Sequence, residues 1–236
     1  MLIFFKILKS IRIKYGLLLW AAGLSFLQLQ ADPATLMNDL LFRNISNEEG
    51  LSHSTVYASI QDTSGYMWFG TQDGLNRFDG HTFKIYRPQP GDPGSIGFTV
   101  IRSFFIDSSG RLWIGGAKGI SLYLDNRDAF RNYLFLDDSS GDFITSFIET
   151  SDRTIYAISL EGGLFRLEPD EREFLKEEVS SSHPFRNFYS WCLNGEDILL
   201  ATESGLALFN PREKSVHPIT IPGLDTDVRE IVRAGD

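Results

Sequence analysis

Histidines, cysteine and paired carboxylates are the residues most able to do chemistry. The four histidines, His53, His81, His183 and His217, share no spacing that would place two on one face of a helix or strand. They read as loop residues, and no metal site is expected. Asp62-x-x-Gly65 and Asp107-x-x-Gly110 look like pieces of calcium loops, but the alternating oxygen ligands of D-x-D-x-D-G are missing, so hairpin turns account for them. Asp225 and Asp227 form the kind of carboxylate pair that 31 acidic residues produce by chance. No Ser stands in G-x-S-x-G, no G-x-x-x-x-G-K occurs, and no Gly-rich loop follows a strand and opens a helix. No catalytic residue and no cofactor is therefore assigned. The remaining chemistry is recognition. Arg43, His53, Tyr57, Arg77, Arg102 and Trp191 are the candidate ligand-binding residues. Guanidinium forks give bidentate hydrogen bonds and aromatic rings give flat stacking faces, a combination that suits a sugar.

The elements that must position these side chains come from a repeat. Asp62-Thr63-Ser64-Gly65-Tyr66-Met67-Trp68-Phe69-Gly70 followed by Gly74-Leu75 returns 45 residues later as Asp107-Ser108-Ser109-Gly110-Arg111-Leu112-Trp113-Ile114-Gly115 followed by Gly119-Ile120. Val56, Ala58 and Ile60 alternate with polar residues, the period-2 pattern of a half-buried strand. Asp at the head of the turn accepts a backbone N–H, and Gly at its end adopts positive φ without a Cβ clash. Tyr66 to Gly70, Leu75 to Phe78 and Thr82 to Tyr86 complete a four-stranded meander, which the second copy repeats from Ile101 to Tyr133. Two degenerate copies follow, over 143–177 and 187–219, with Ala157 and Ala201 read as replacing the glycine that ends the second strand. A fifth copy begins in 225–236. A small sheet cannot bury both faces alone, and stacking such sheets around an axis is the solution. The fold class is all-β: an incomplete β-propeller of about four four-stranded blades plus the start of a fifth. Trp68 and Trp113 are expected to fill the gaps between blades.

The ordered string from Phe42-Arg43-Asn44-Ile45-Ser46 through Glu49-Gly50-Leu51-Ser52, Thr55-Val56-Tyr57, Gln61 to Thr71, Asp73 to Gly80 and Phe83 to Tyr86 resembles the opening blade of the periplasmic two-component regulator propellers. These are sensor domains of hybrid histidine kinases found mostly in Bacteroidetes. The likeness is dense over 42–124 and weaker, but in register, to 236. It implies an extracytoplasmic ligand-sensing module, responding in many members to oligosaccharides. Full-length members continue into more blades, an immunoglobulin-like domain, a membrane span and a kinase.

Residues 1–31 read as a signal peptide: Lys6, Lys9, Arg12 and Lys14 precede an apolar stretch from Tyr15 to Leu29, and Gln30-Ala31 offers a small residue for cleavage. An uncleaved anchor is the alternative, and the sole route to a membrane. Residues 32–54 form a lead-in with a strand at 40–46, and 55–236 hold the repeats, with blades at about 55–87, 99–133, 143–177 and 187–219. The net charge of −9 disfavours nucleic acid and anionic lipid and is compatible with a neutral small-molecule or oligosaccharide ligand. Cys192, the single cysteine, cannot form an internal disulfide and sits in a strand pattern as a buried thiol. A seven-blade ring needs on the order of 310 residues. An open arc is thus expected, from a truncated product, with edges that could pair with remaining blades or a second protomer. A secreted lectin or glycan-active enzyme, and a protein-interaction scaffold, are the competing functions.

Overall fold

Each of the first four copies of the repeat forms one antiparallel sheet with its strands in chain order. The structure, a computed structural model, describes residues 45–117, 119–135, 143–161, 163–178, 180–181, 187–222 and 228–231. The first sheet holds β1 (Val56–Gln61), β2 (Met67–Thr71), β3 (Gly74–Phe78) and β4 (Phe83–Tyr86). The second holds β5 (Ile101–Ile106), β6 (Leu112–Gly116), β7 (Gly119–Leu124) and β8 (Ala129–Leu134). The third holds β9 (Ile144–Glu149), β10 (Ile155–Ser159), β11 (Leu164–Leu167) and β12 (Phe174–Lys176). The two-residue strand β13 (Ser180–Ser181) then pairs in parallel with β17 at the outer edge of the fourth sheet, which runs β14 (Phe188–Asn194), β15 (Asp197–Thr202), β16 (Gly205–Asn210) and β17 (Ser215–Ile219). The first strands of successive sheets, β1, β5, β9 and β14, lie beside one another. These sheets are blades of a β-propeller.

The core lies between the blades. Trp68 and Trp113 are fully buried in equivalent places, as the repeat requires. Trp68 sits 5.8 Å from Tyr86 of its own sheet and 4.8 Å from Tyr123 of the next; Trp113 sits 6.0 Å from Tyr133 and 5.7 Å from Phe174. Tyr86 meets Phe130 edge-on at 5.3 Å, and Tyr133 meets Phe174 edge-on at 5.3 Å. Burying a Trp removes about 200 Å² from water, on the order of 5 kcal/mol each before chain entropy is counted. The close approach that permits this stacking needs Gly70 and Gly115. A Cβ on Gly70 would stand 2.7 Å from Ile101 Cγ2, and one on Gly115 would stand 2.7 Å from Ile144 Cγ2, in each case on the following blade.

The hairpin turns repeat too. Gly65 and Gly110 take φ of +90° and +79°. In the third blade, where the glycine is absent, Arg153 takes φ of +67° and donates its N–H to Thr150 O at 2.9 Å, the bond that Gly65 makes to Asp62 O. One expectation is corrected by the register. Ala58 pairs with Gly70, Ser103 with Gly115, Ser146 with Ile158 and Ser190 with Ala201. Ala201 therefore does replace the glycine, but in the third blade Ile158 does so. Ala157 points to the other face, into the core shared with the second blade, because a one-residue step along a strand reverses the side chain.

The signal peptide expected over 1–31 and residues 40–44 of the lead-in strand lie outside the described residues. Ile45 and Ser46 are not laddered; Ser46 caps a 3-10 turn at Asn47–Glu49 in a capping box with Glu49. The lead-in is tied to the first sheet where Ser52 N–H donates to Asn76 Oδ1 at 2.8 Å and Asn76 Nδ2 donates to Ser52 Oγ at 2.8 Å. Of the fifth copy, residues 228–231 form no strand, yet Val228 N–H donates to Thr202 O at 3.1 Å and Ile231 N–H to Ser190 Oγ at 3.3 Å. Among the described residues no helix is long and apolar enough to cross a membrane.

Candidate functional site

The first strand of every blade carries a bulge, and the bulge occupies the same place each time. Val56 pairs with Thr71 and Ala58 with Gly70, leaving Tyr57 as the extra residue. Ile101 pairs with Gly116 and Ser103 with Gly115, which leaves Arg102. The third and fourth blades leave Thr145 and Tyr189 in the same way. Each stands five residues before its blade's turn residue, Asp62, Asp107, Thr150 or Asn194. A bulge bends the strand and re-aims the side chain of the extra residue, and bulges recur beside binding sites. Because β1, β5, β9 and β14 are neighbours, the four bulges line up along one rim, at the opposite end of the strands from the Asp62 and Asp107 hairpins.

Two candidates from the sequence meet here. The Arg102 guanidinium lies over the Tyr57 ring, 3.8 Å from its centroid, and 4.6 Å from the centroid of Phe143. Tyr57 belongs to the first blade, Arg102 to the second, and Phe143 leads into the third. The stack is repeated further on, where the Arg229 guanidinium lies 4.3 Å from the Tyr189 ring centroid. Cation–π contact of this kind fixes a long side chain that would otherwise sample many rotamers. The rim offers flat ring faces and guanidinium donors, the equipment for binding a flat-faced polar molecule.

The other candidates go elsewhere. Trp191 is buried between the third and fourth blades and donates its indole N–H to Ser146 Oγ at 2.8 Å, so its role is packing and not ligand contact. Its position in the strand faces the core, while the bulge residue two places before it faces the rim. His53 Nδ1 accepts the Thr55 N–H at 3.0 Å and closes the turn into β1. Arg43 lies outside the described residues, as do His183, Asp225 and Asp227. Cys192 is half-buried on β14, not fully enclosed. Among the described residues no three of His, Cys, Asp and Glu are placed to hold a metal ion.

Arg77 belongs to a second polar cluster, far along the strands from the bulges. It donates to Tyr123 Oη at 2.7 Å and pairs with Asp128 at 3.4 Å, and it stacks 4.6 Å from the Tyr66 ring centroid. Asp128, held at φ of +49° in the turn between β7 and β8, also accepts from Tyr86 Oη at 2.6 Å, from Tyr123 Oη at 2.8 Å and from Lys84. Burial alone would raise the Asp128 carboxyl, but the Lys84 ammonium and the two phenols override it and hold it down at about 2. Burial, with the bond to Asp128, pushes the Tyr123 phenol up to about 12 and Tyr86 further in the same direction. A cavity of about 190 Å³ adjoins this cluster, with Lys84, Arg87, Gln89, Asp92 and Asp128 on its wall. Its two cations are already paired, Lys84 with Asp128 and Arg87 with Asp73 at 2.9 Å. The cluster is a staple between the first and second blades. It accounts for Arg77 as a structural residue.

Sequence reasoning missed Phe143, Thr145, Tyr189 and Arg229. The available signal was the constant five-residue offset before each turn, but the bulge that gives this offset meaning appears only when two strands are paired.

Comparison with known proteins agrees with the geometry. Residues 50–73 and 95–118 match the family described as two component regulator propeller. Over 59 residues the chain is 51% identical to histidine kinase P4 of Formosa agariphila, a match covering 25% of this chain and 4% of that protein. Its structure is similar to the extracellular domain of a hybrid two component system from B. thetaiotaomicron, with TM-score 0.63 and 23% identity over 78% of this chain and 27% of that one. It also resembles virginiamycin B lyase from Staphylococcus aureus, with TM-score 0.53 and 12% identity over 70% of this chain and 55% of that one. The chain thus spans 4% of histidine kinase P4 and 27% of the hybrid-system domain, and the low identities of the two structures speak to fold alone. With the repeated turn residues, the interleaved Trp and the blade-by-blade register in place, the chain is a β-propeller whose residues 50–73 and 95–118 match two component regulator propeller repeats.

Proposed function

We propose that this chain is an extracytoplasmic ligand-sensing propeller module of a two-component signal transduction regulator, exported by its leader, and that it binds an oligosaccharide on the bulged rim. The observation that carries this reading is the bulge at one position in all four first strands, which leaves Tyr57, Arg102, Thr145 and Tyr189 outside the ladder along one rim. A bulge leaves its extra residue unpaired in the ladder and re-aims its side chain, and bulges recur next to active sites. The family repeats and the likeness to an extracellular sensor domain support the sensory role, and binding is the chemistry the rim offers. A ring that stacks on a sugar face contributes through its flat surface and its hydroxyl, both present in Tyr57 and Tyr189.

The test is a glycan array probed with the labelled full-length chain, followed by calorimetry on the strongest hit. Binding that is lost in the Tyr57→Ala, Tyr189→Ala double variant, with an unchanged urea midpoint, is the expected outcome. Binding to no glycan, or binding indifferent to the double variant, refutes the reading.

A further inference from the structure

We infer that Arg102 holds an anionic group, a carboxylate or a sulfate, on the ligand of the bulged rim, so that the module recognises an acidic saccharide. The inference rests on the ligand-sensing reading above and narrows it to a substrate class. Four arginines among the described residues are half-buried: Arg77, Arg102, Arg111 and Arg166. Three of them pair with a carboxylate, Arg77 with Asp128, Arg111 with Asp107 at 2.6 Å, and Arg166 with Glu168 at 2.8 Å. Arg102 pairs with none. Its Nε is buried and has no hydrogen-bond partner, the single side-chain atom among the described residues in that condition. A buried charged donor without an acceptor is expensive, and native structures keep such groups where an ion, water or ligand completes them.

The surroundings fix this cation without neutralising it. Tyr57 and Phe143 hold the guanidinium at 3.8 and 4.6 Å from their ring centroids, on neighbouring blades. Ring faces attract the cation but accept no N–H bond in its plane, so the Nε–H is left without a protein acceptor. A planar fork with free in-plane donors matches a carboxylate or a sulfate bidentately. The protein as a whole is acidic, at −9, so an unpaired half-buried cation on this rim runs against the general charge. Arg229, in the corresponding stack on Tyr189, places a second guanidinium on the rim. An acidic saccharide supplies what both elements need: ring faces for the tyrosines and an anion for Arg102.

The experiment follows the Arg102 Nε–H resonance of the full-length, 15N-labelled chain, assigned by its disappearance in Arg102→Lys. Four probes are titrated: a galacturonate tetrasaccharide, its full methyl ester, a sulfated neutral tetrasaccharide and inorganic sulfate. The expected result is a saturating shift of the Nε–H with the galacturonate or the sulfated sugar, whichever anion the ligand carries, at least tenfold weaker binding by Arg102→Lys, and no shift with the methyl ester. Equal binding of galacturonate and its methyl ester with an unmoved Nε–H overturns the anion inference and leaves the sensing reading standing. A shift with inorganic sulfate and with no saccharide overturns the acidic-saccharide assignment, the site then taking an adventitious ion only. No shift with any probe also overturns it. A wild-type titration decides each case, so a variant that misfolds does not obscure the answer.

Discussion

Substituting Asp107 by Asn removes a charge and leaves almost every atom in place, which makes it a sharp test of what holds a blade together. The Asp107 carboxylate is buried and accepts four hydrogen bonds. Oδ1 takes the backbone N–H groups of Ser109 and Arg111, both at 2.9 Å, and Oδ2 takes Trp113 Nε1 at 2.8 Å and Arg111 Nε at 2.6 Å. Burial would raise this carboxyl, but the Trp113 indole, the Arg111 N–H and the guanidinium lower it below its ordinary value. In Asp107→Asn the amide oxygen can keep the two backbone bonds, while its NH₂ faces two donors. Two bonds to a charged group are lost, each worth roughly 1.5–3 kcal/mol, offset in part because Arg111 retains Glu171 at 2.7 Å. The net loss is about 3 kcal/mol, or a fall in Tm of about 6–12 °C for a chain of this size. The equivalent Asp62→Asn loses only the Trp68 Nε1 bond of 2.7 Å at a half-buried site, and is expected to cost about half as much. Urea denaturation followed by tryptophan fluorescence measures both. The pH dependence has a definite sign. A carboxyl lowered in the folded state stabilises fully above its unfolded pKa of 3.8, and that stability fades as pH falls below this through the lower folded value. The wild type should therefore lose its advantage over Asp107→Asn in acid below about pH 4. Equal midpoints for Asp107→Asn and wild type at neutral pH, or a larger loss for Asp62→Asn, would refute the reasoning.

Four other perturbations probe separate parts of the fold. Gly115→Ala places a Cβ 2.3 Å from Ser103 Oγ and 2.9 Å from Ile144 O, so two blades must separate; about 2–3 kcal/mol of stability should be lost by urea titration. Gly65→Ala, with open space but φ of +90°, should lose only about 1 kcal/mol in the same assay. Arg153→Gly removes left-handed strain at φ of +67° and should raise the urea midpoint, by about 0.5–1 kcal/mol in stability. The Asp128 staple contributes fully above pH 3.8 and is lost as pH falls through about 2; acid titration of tryptophan fluorescence should show that step in wild type and not in Asp128→Asn.

The difference between legible and hidden features follows how far apart in the chain the partners lie. Turns are local: Asp62 and Gly65 are three apart and answer to backbone sterics, so their chemistry is readable in the string. The role of Trp68 and Trp113 was readable because a large ring at a repeated strand position has few other uses. The third copy was harder. Its turn lacks glycine, Arg153 takes the left-handed conformation instead, and the parity that selects Ile158 over Ala157 depends on how β9 pairs with β10. The Asp128 staple joins residues more than 40 apart, and a lone Asp in a surface turn carries no local mark of its four partners.

The repeat alone therefore determined the fold class and the inter-blade place of Trp68 and Trp113, because both are consequences of alternation and turn chemistry within one 45-residue unit. Tertiary structure decided the candidate site. A bulge is a mismatch between two strands, and the stack of Arg102 on Tyr57 and Phe143 joins three blades. Both are relations between segments, which no single segment can contain, so Tyr57 and Arg102 were grouped by pairing while Arg77 and Trp191 were drawn away into packing.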